Sequence, residues 1–230
     1  MFYLAPHPKL ARPLRGSPRM FIIDWVEKYF SRVKWWHVIA IWVPVSIYCL
    51  VRALRDSATH LIPVVAIFAL GVLAWTLLEY ALHRFVFHFE PDPNSEFQTE
   101  SMYLIHGIHH DYPWDGDRLV MPPFVTFAVS ALLWFPMRWA FGPHYMFAFY
   151  GGIVAGYVAY DLTHYWLHHA VPKSRLGKWM RSYHLVHHFS TPHVRYGITT
   201  PLWDHIFRTY PSDKYAGISS TKVDELESHA

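Results

Sequence analysis

The chain has 230 residues, of which 53% are hydrophobic, 18% aromatic and only 16% charged, whereas an average soluble protein carries about 25% charge. Its formal net charge is +3, but no Lys/Arg block or nucleic-acid motif accompanies it, which argues against a nucleic-acid partner and for an anionic membrane surface. Cys49 is the only cysteine, so an intrachain disulfide is excluded; its place in an apolar run marks it as a small buried hydrophobe.

Residues 1–34 are polar, basic and proline-containing. They read as a cytosolic segment in which residues 21–30 form an amphipathic helix lying on the membrane. Pro6 interrupts the start before any signal-peptide core forms, so the first apolar run is expected to act as the insertion signal. Four apolar runs follow, at about residues 35–54, 61–82, 124–141 and 144–163. A helix of about 20 apolar residues crosses a bilayer, so an all-α integral membrane protein with about four transmembrane helices is predicted. The last two runs are shorter and contain Pro136 and several glycines, and a buried re-entrant hairpin is the alternative there. Gly152-x3-Gly156 is either a close-packing face or a groove for an acyl chain. Residues 211–230 form a polar tail.

Charge sets the expected orientation. Lys9, Arg12, Arg15, Arg19, Lys28, Arg32 and Lys34 precede the first run, and with four crossings only Arg52, Arg55 and Arg138 fall on the far side. Both termini are then cytosolic. Topology also brings together a second feature. Eleven of the eighteen histidines form four clusters, and all four lie at or beyond the cytosolic ends of the second and fourth runs.

The clusters are His83-x4-His88, His106-x2-His109-His110, His164-x3-His168-His169 and His184-x2-His187-His188. Residues i, i+3 and i+4 share a helix face. Each of the triplets 106/109/110 and 184/187/188 is therefore expected to present three imidazoles to one point. His164 and His168 share a face, while His169 turns away. His83 and His88 are five apart, which a straight helix would not align, so a helix end between them is expected. Structural zinc usually uses four ligands with cysteine. Ten imidazoles without thiolate instead suit two redox ions with five ligands each, iron best and copper second. The Glu-x-x-His motif of soluble di-iron bundles is absent. Asp161, three residues before His164, is read as a histidine-orienting or substrate-facing group, with a structural ion pair as the alternative. Glu79 is read as orienting or structural, and Tyr157, one turn below Asp161, as a core aromatic or a site residue. His193 and His205 are isolated and read as non-ligands.

These tracts resemble a known family. Residues 79–88, Glu79-Tyr80-Ala81-Leu82-His83-Arg84-Phe85-Val86-Phe87-His88, resemble the first histidine box of the integral-membrane fatty acid hydroxylases. Residues 103–110, 160–169 and 183–189 resemble the next three boxes, and residues 196–204 the tract that follows. Similar boxes occur in desaturases, sterol oxidases and carotenoid hydroxylases. The intervening residues resemble fatty acid 2-hydroxylases acting on sphingolipid acyl chains.

The resemblance, which covers about residues 35–210, implies a hydroxylase domain with a cytosolic helical cap over two iron ions, in the endoplasmic-reticulum membrane. Zinc can replace iron in recombinant material. It implies insertion of one oxygen atom from dioxygen at the carbon next to the acyl carbonyl, in ceramide or a related lipid. The implied ligands are His83, His88, His106, His109, His110, His164, His168, His184, His187 and His188, the set that the helix faces select. Many relatives carry a fused cytochrome b5 domain. The 34 residues before the first run are too few for one, so electrons are expected from a separate cytochrome b5 or similar donor. A membrane desaturase or sterol-type oxidase is the enzymatic alternative, and a divalent-metal transporter the non-enzymatic one.

Overall fold

A computed structural model describes residue 14 and residues 16–210. The expected polar tail 211–230 and residues 1–13 and 15 lie outside the described residues, with His7 and His229 among them. The described residues are overwhelmingly helical and form no strand. The N-terminal amphipathic segment forms one short helical stretch, α1 (Asp24–Val26) followed by a π-helical turn, Glu27–Ser31. Ile22, Trp25, Tyr29 and Phe30 are exposed along it. Glu27 turns inward, where the backbone N–H groups of Met20 and Phe21 and the side chains of Arg32 and Arg118 bond its carboxylate. Burial alone would raise its pKa, but these donors together hold it below the ordinary carboxylate value.

Helix α2 spans Trp35–Leu54 and α3 spans Leu61–Ala81. Both match the first two apolar runs, and both are long and apolar enough to cross a membrane. Short helices α4 (Glu96–Met102) and α5 (Ile108–Asp111) follow. The third long element, α6, is a 47-residue stretch, Pro123–His169, broken at Gly142. Gly142 has φ 64, a left-handed value that glycine tolerates, and Pro143 beyond it cannot continue the helical hydrogen bonds.

The break falls where the third and fourth predicted runs meet. Trp134 packs edge-on against Phe147 and Tyr150, and Arg138 reaches Met146. The two arms of α6 therefore fold back on one another as an antiparallel hairpin. The turn between α2 and α3 lies at the same end as this hairpin's tip, because the Asp56 carboxylate bonds both Arg52 and His144 (3.2 and 3.1 Å). The chain is a membrane protein built of four long helical rods, with its clustered histidines at the opposite end.

The second arm of α6 packs against α2 and α3. Gly152 approaches Gly71 and the Phe68 carbonyl so closely that a Cβ on either glycine would strike backbone, and Gly156 lies against Trp75. The Gly152-x3-Gly156 stripe is thus a packing face and not a groove. Cys49 is free and buried in α2.

Candidate metal centre

The end of α3 does not simply stop between His83 and His88, as expected. It widens into a π-helical turn, Leu82–Phe87, and the His88 N–H bonds the His83 carbonyl five residues back at 3.0 Å. In that winding residues i and i+5 come onto one face, and such turns are frequent at functional sites. The two imidazole rings are 4.9 Å apart. A second π-helical turn, Tyr103–Gly107, carries His106 into α5, which holds His109 and His110. His164 and His168 end α6, and His184, His187 and His188 lie on α7 (Arg175–Phe189).

The ten histidines form two groups of five. His83, His88, His106, His110 and His187 make the first; His109, His164, His168, His184 and His188 make the second. Within each group the candidate ligand atoms all lie within 4.8 Å of one another. This corrects one expectation from spacing. Neither triplet points at a single spot: His109 leaves its neighbours for the second group, and His187 leaves its neighbours for the first. The i and i+4 members stay together, while the residue between them flanks the helix and faces the other group. His169 is exposed and lies against Tyr165, with ring centroids 4.3 Å apart. His193 is also exposed, and His205 stacks on Tyr210.

The donor set fits metal ions. Nε2 atoms meet in pairs: His168 with His184 at 2.8 Å, His187 with His88 at 3.0 Å, His106 with His110 at 3.0 Å and His184 with His188 at 3.1 Å. Two imidazole nitrogens about 2.1 Å from one ion and at right angles around it stand about 3.0 Å apart. Several buried ring nitrogens, among them His83 Nε2, His109 Nε2 and both of His164, have no hydrogen-bond partner among the described residues. Such atoms are costly to bury unless something binds them. Burial, reinforced by neighbouring imidazoles, pushes His106, His109, His184 and His188 well below the ordinary imidazole pKa. The same holds for His187. The rings are neutral at pH 7, the form a metal requires.

Backbone carbonyls orient the first group. His83 Nδ1 donates to the Tyr196 carbonyl at 2.6 Å and His187 Nδ1 to the Val194 carbonyl at 2.8 Å. Each bond leaves Nε2 as the free lone pair. Two buried carboxylates pin the loop that supplies these carbonyls. Asp204, on α8 (Leu202–Ile206), accepts from the N–H groups of Tyr196 and Gly197 (2.9 and 2.7 Å) and from the Thr209 hydroxyl (2.7 Å). Glu79 accepts from the N–H groups of Ile198 and Thr199 (2.7 and 2.8 Å) and from the Thr199 hydroxyl (2.6 Å). Gly197 must be glycine, because a Cβ there would strike the Thr200 carbonyl and the Asp204 carboxylate. Glu79 therefore acts on the histidines through this loop. Sequence reasoning missed Asp204, Tyr196 and Val194; the only signal for Tyr196 and Asp204 was the tract resemblance at 196–204, and Val194 had none.

Asp161 is fully buried and accepts from the Met121 N–H at 3.2 Å. No hydrogen bond joins it to a histidine among the described residues. The Tyr157 ring packs between Trp42 and Trp75, and its hydroxyl is buried close to Asp161. Beside Tyr157 lies a small, partly open pocket of about 30 Å³, lined by Trp42, Trp75, Leu133, Ile153, Val154 and Tyr157 among others. Its lining is almost wholly apolar, so it suits an alkyl chain better than water.

Comparison with known proteins agrees with this geometry. A fatty acid hydroxylase family model matches residues 68–209, a span that contains all ten histidines. The chain is 44% identical over 205 residues to the dihydroceramide fatty acyl 2-hydroxylase FAH2 of Arabidopsis thaliana, covering 89% of this chain and 84% of that protein. It is 35% identical over 221 residues to the fatty acid 2-hydroxylase of Rattus norvegicus, covering 88% of this chain and 58% of the rat protein. A solved structure, full-length scs7p with only its hydroxylase domain visible, superposes with a TM-score of 0.79 at 33% identity, covering 86% of this chain and 74% of that one. Two sets of five imidazoles above an apolar pocket, matched from the end of one spanning helix to the cap, place this chain in the fatty acid hydroxylase family.

Proposed function

We propose that this chain is an oxygen-dependent monooxygenase that hydroxylates the 2-position of a fatty acyl chain in ceramide or a related sphingolipid. The observation that carries the reading is the pair of five-histidine groups at the end of an apolar bundle, with an apolar-lined pocket beside Tyr157. The names of the relatives support the substrate class. The ten histidines would hold two iron ions, with zinc able to replace them in recombinant material. When bound, the iron pair supplies activation of dioxygen.

The chain's own residues do the rest. The apolar lining of the pocket receives part of the acyl tail. Tyr157 and Asp161, successive turns of α6 between the pocket and His164, position the reacting end of the chain. The loop 194–200 fixes the ring orientation of His83 and His187. Lys173, Arg175 and Lys178 are exposed near the start of α7, a basic surface that suits an acidic electron donor such as a separate cytochrome b5. The protein resides in the endoplasmic-reticulum membrane with both termini cytosolic. Both histidine groups sit at one end of the bundle, away from the midplane where transport sites normally lie, which disfavours metal transport.

Mass spectrometry of sphingolipids from cells with and without the chain tests this. Acyl chains bearing one added hydroxyl at carbon 2 are expected. A dehydrogenated product without hydroxylation would replace the reading with a desaturase.

A further inference from the structure

We infer that α8 is a lipid-seated foot of the cap, lying in the boundary between headgroups and acyl chains beside α3. At 100° per residue, Leu202, Ile206, Trp203 and Phe207 fall on one arc of about 140°, and Asp204 and His205 fall outside it. Leu202, Ile206 and Phe207 remain 41%, 54% and 47% exposed, although Phe207 rests one face on α3. Asp204 points the other way and is fully buried against the loop it pins. This is the division of faces seen in helices that lie in a membrane surface.

The depth comes from one hydrogen bond. The Trp203 indole N–H donates to the Thr76 hydroxyl at 2.9 Å, and Phe207 stacks on Tyr80 with ring centroids 5.3 Å apart. Both partners belong to the spanning helix α3. Measured from Leu61 at about 1.5 Å per residue, a hydrocarbon layer of about 30 Å ends near Ala81. Thr76 then lies roughly 8 Å inside the layer. The exposed side chains of α8 continue the lipid-facing surface of α3, where Leu70, Leu73 and Leu77 are 46%, 47% and 38% exposed. His205 and Arg208, both exposed, stand where headgroup phosphates would be. Lipid is therefore the occupant of this face. The foot also carries Asp204, so the membrane holds the loop whose carbonyls orient His83 and His187. The inference rests on α3 as a membrane span and not on the enzymatic reading.

Single-cysteine spin labelling of the full chain in phosphatidylcholine/phosphatidylserine vesicles tests it. Native Cys49 is buried and serves as the unlabelled background. Labels at Ile206→Cys, at Leu132→Cys as the bilayer reference and at Lys178→Cys as the aqueous reference are compared for relaxation by dissolved oxygen and by a water-soluble nickel chelate. The Ile206 label is expected to match the Leu132 label, with at least tenfold less nickel accessibility than the Lys178 label. Nickel accessibility equal to that at Lys178 would put α8 in water and overturn the inference. Shielding from both reagents would show a protein covering this face and would overturn it equally.

Discussion

Replacing Glu79 tests how far the first histidine group depends on a residue that touches none of its rings. The carboxylate is buried and is, among the described residues, the sole acceptor for the N–H groups of Ile198 and Thr199 and for the Thr199 hydroxyl. Glu79→Ala strands three donors. At about 1 kcal/mol or more for each buried group left unsatisfied, the loss is about 3 kcal/mol, offset in part because no charge is buried any longer. For a chain of this size that is a fall in Tm of about 6–12 °C. Glu79→Gln behaves differently. Its amide oxygen can keep both N–H bonds, and its amide nitrogen can donate to the Thr199 hydroxyl, which turns round to accept. A loss of no more than about 1 kcal/mol is expected. Melting followed by tryptophan fluorescence, with metal content per chain measured alongside, separates the two. The alanine variant should fall from two ions to one, because the freed loop no longer holds the Tyr196 carbonyl against His83. Equal behaviour of Gln and Ala would refute the reasoning: both mild means that the loop stands without the clamp, both severe that charge rather than acceptor geometry matters.

Three further outcomes follow from the site. His109→Ala and His110→Ala change neighbouring residues but should each weaken a different ion, so the double variant binds neither firmly; a double variant that still holds one ion tightly would return both histidines to one group. His168→Ala should abolish product formation and lower metal content, while His169→Ala retains more activity because that ring lies outside both groups; the reverse ranking would overturn the face assignment. In metal-free protein, the buried imidazoles outside the spans titrate well below their unfolded value near 6.5. The unfolded chain therefore binds more protons below about pH 6.5, and stability falls as pH drops, by up to about 1.4 kcal/mol per pH unit for each ring. Melting of the apoprotein at pH 7.5 and 5.5 measures this, and a Tm independent of pH would contradict the burial.

The spans were legible because run length is read directly from composition, and α2 begins and ends where its apolar run does. The break at Gly142 was legible as the seam between two runs holding proline and glycine. The ten candidate ligands were legible because imidazole clusters at helical spacing are rare. The π-helical turn at 82–87 was not, since i, i+5 spacing says only that a straight α-helix fails; which backbone change solves it depends on what packs around the turn. The division of each triplet was hidden for a similar reason. A residue between i and i+4 lies on the edge of the face, and the neighbouring helices decide which way it turns. The carbonyls of Val194 and Tyr196 carry no residue-type signal at all, because every residue has one. Asp204 lies on a helix too short to show a period.

The division of histidines makes the two groups mechanically unequal. The π-helical turn after α3 serves only the first group, and α6 serves only the second, while α5 and α7 serve both. The spacing between the groups is therefore set where α3 meets α6. That contact is the close backbone approach of Phe68 and Gly71 to Gly152, with Gly156 against Trp75. Gly152→Ala would place a methyl group against the Phe68 carbonyl, and backbone cannot yield as a flexible side chain does. The Cβ would stand 2.0 Å from that oxygen, so the two helices must separate locally by about 1 Å or more, at a cost at the upper end of overpacking, about 3 kcal/mol. Each group would keep its own five imidazoles, because neither is built across this contact alone. The variant should consequently retain two ions per chain while its metal–metal distance by X-ray absorption lengthens and its turnover falls. Wild-type turnover with an unchanged distance would mean that α5 and α7 set the spacing, and that the glycine stripe serves packing alone.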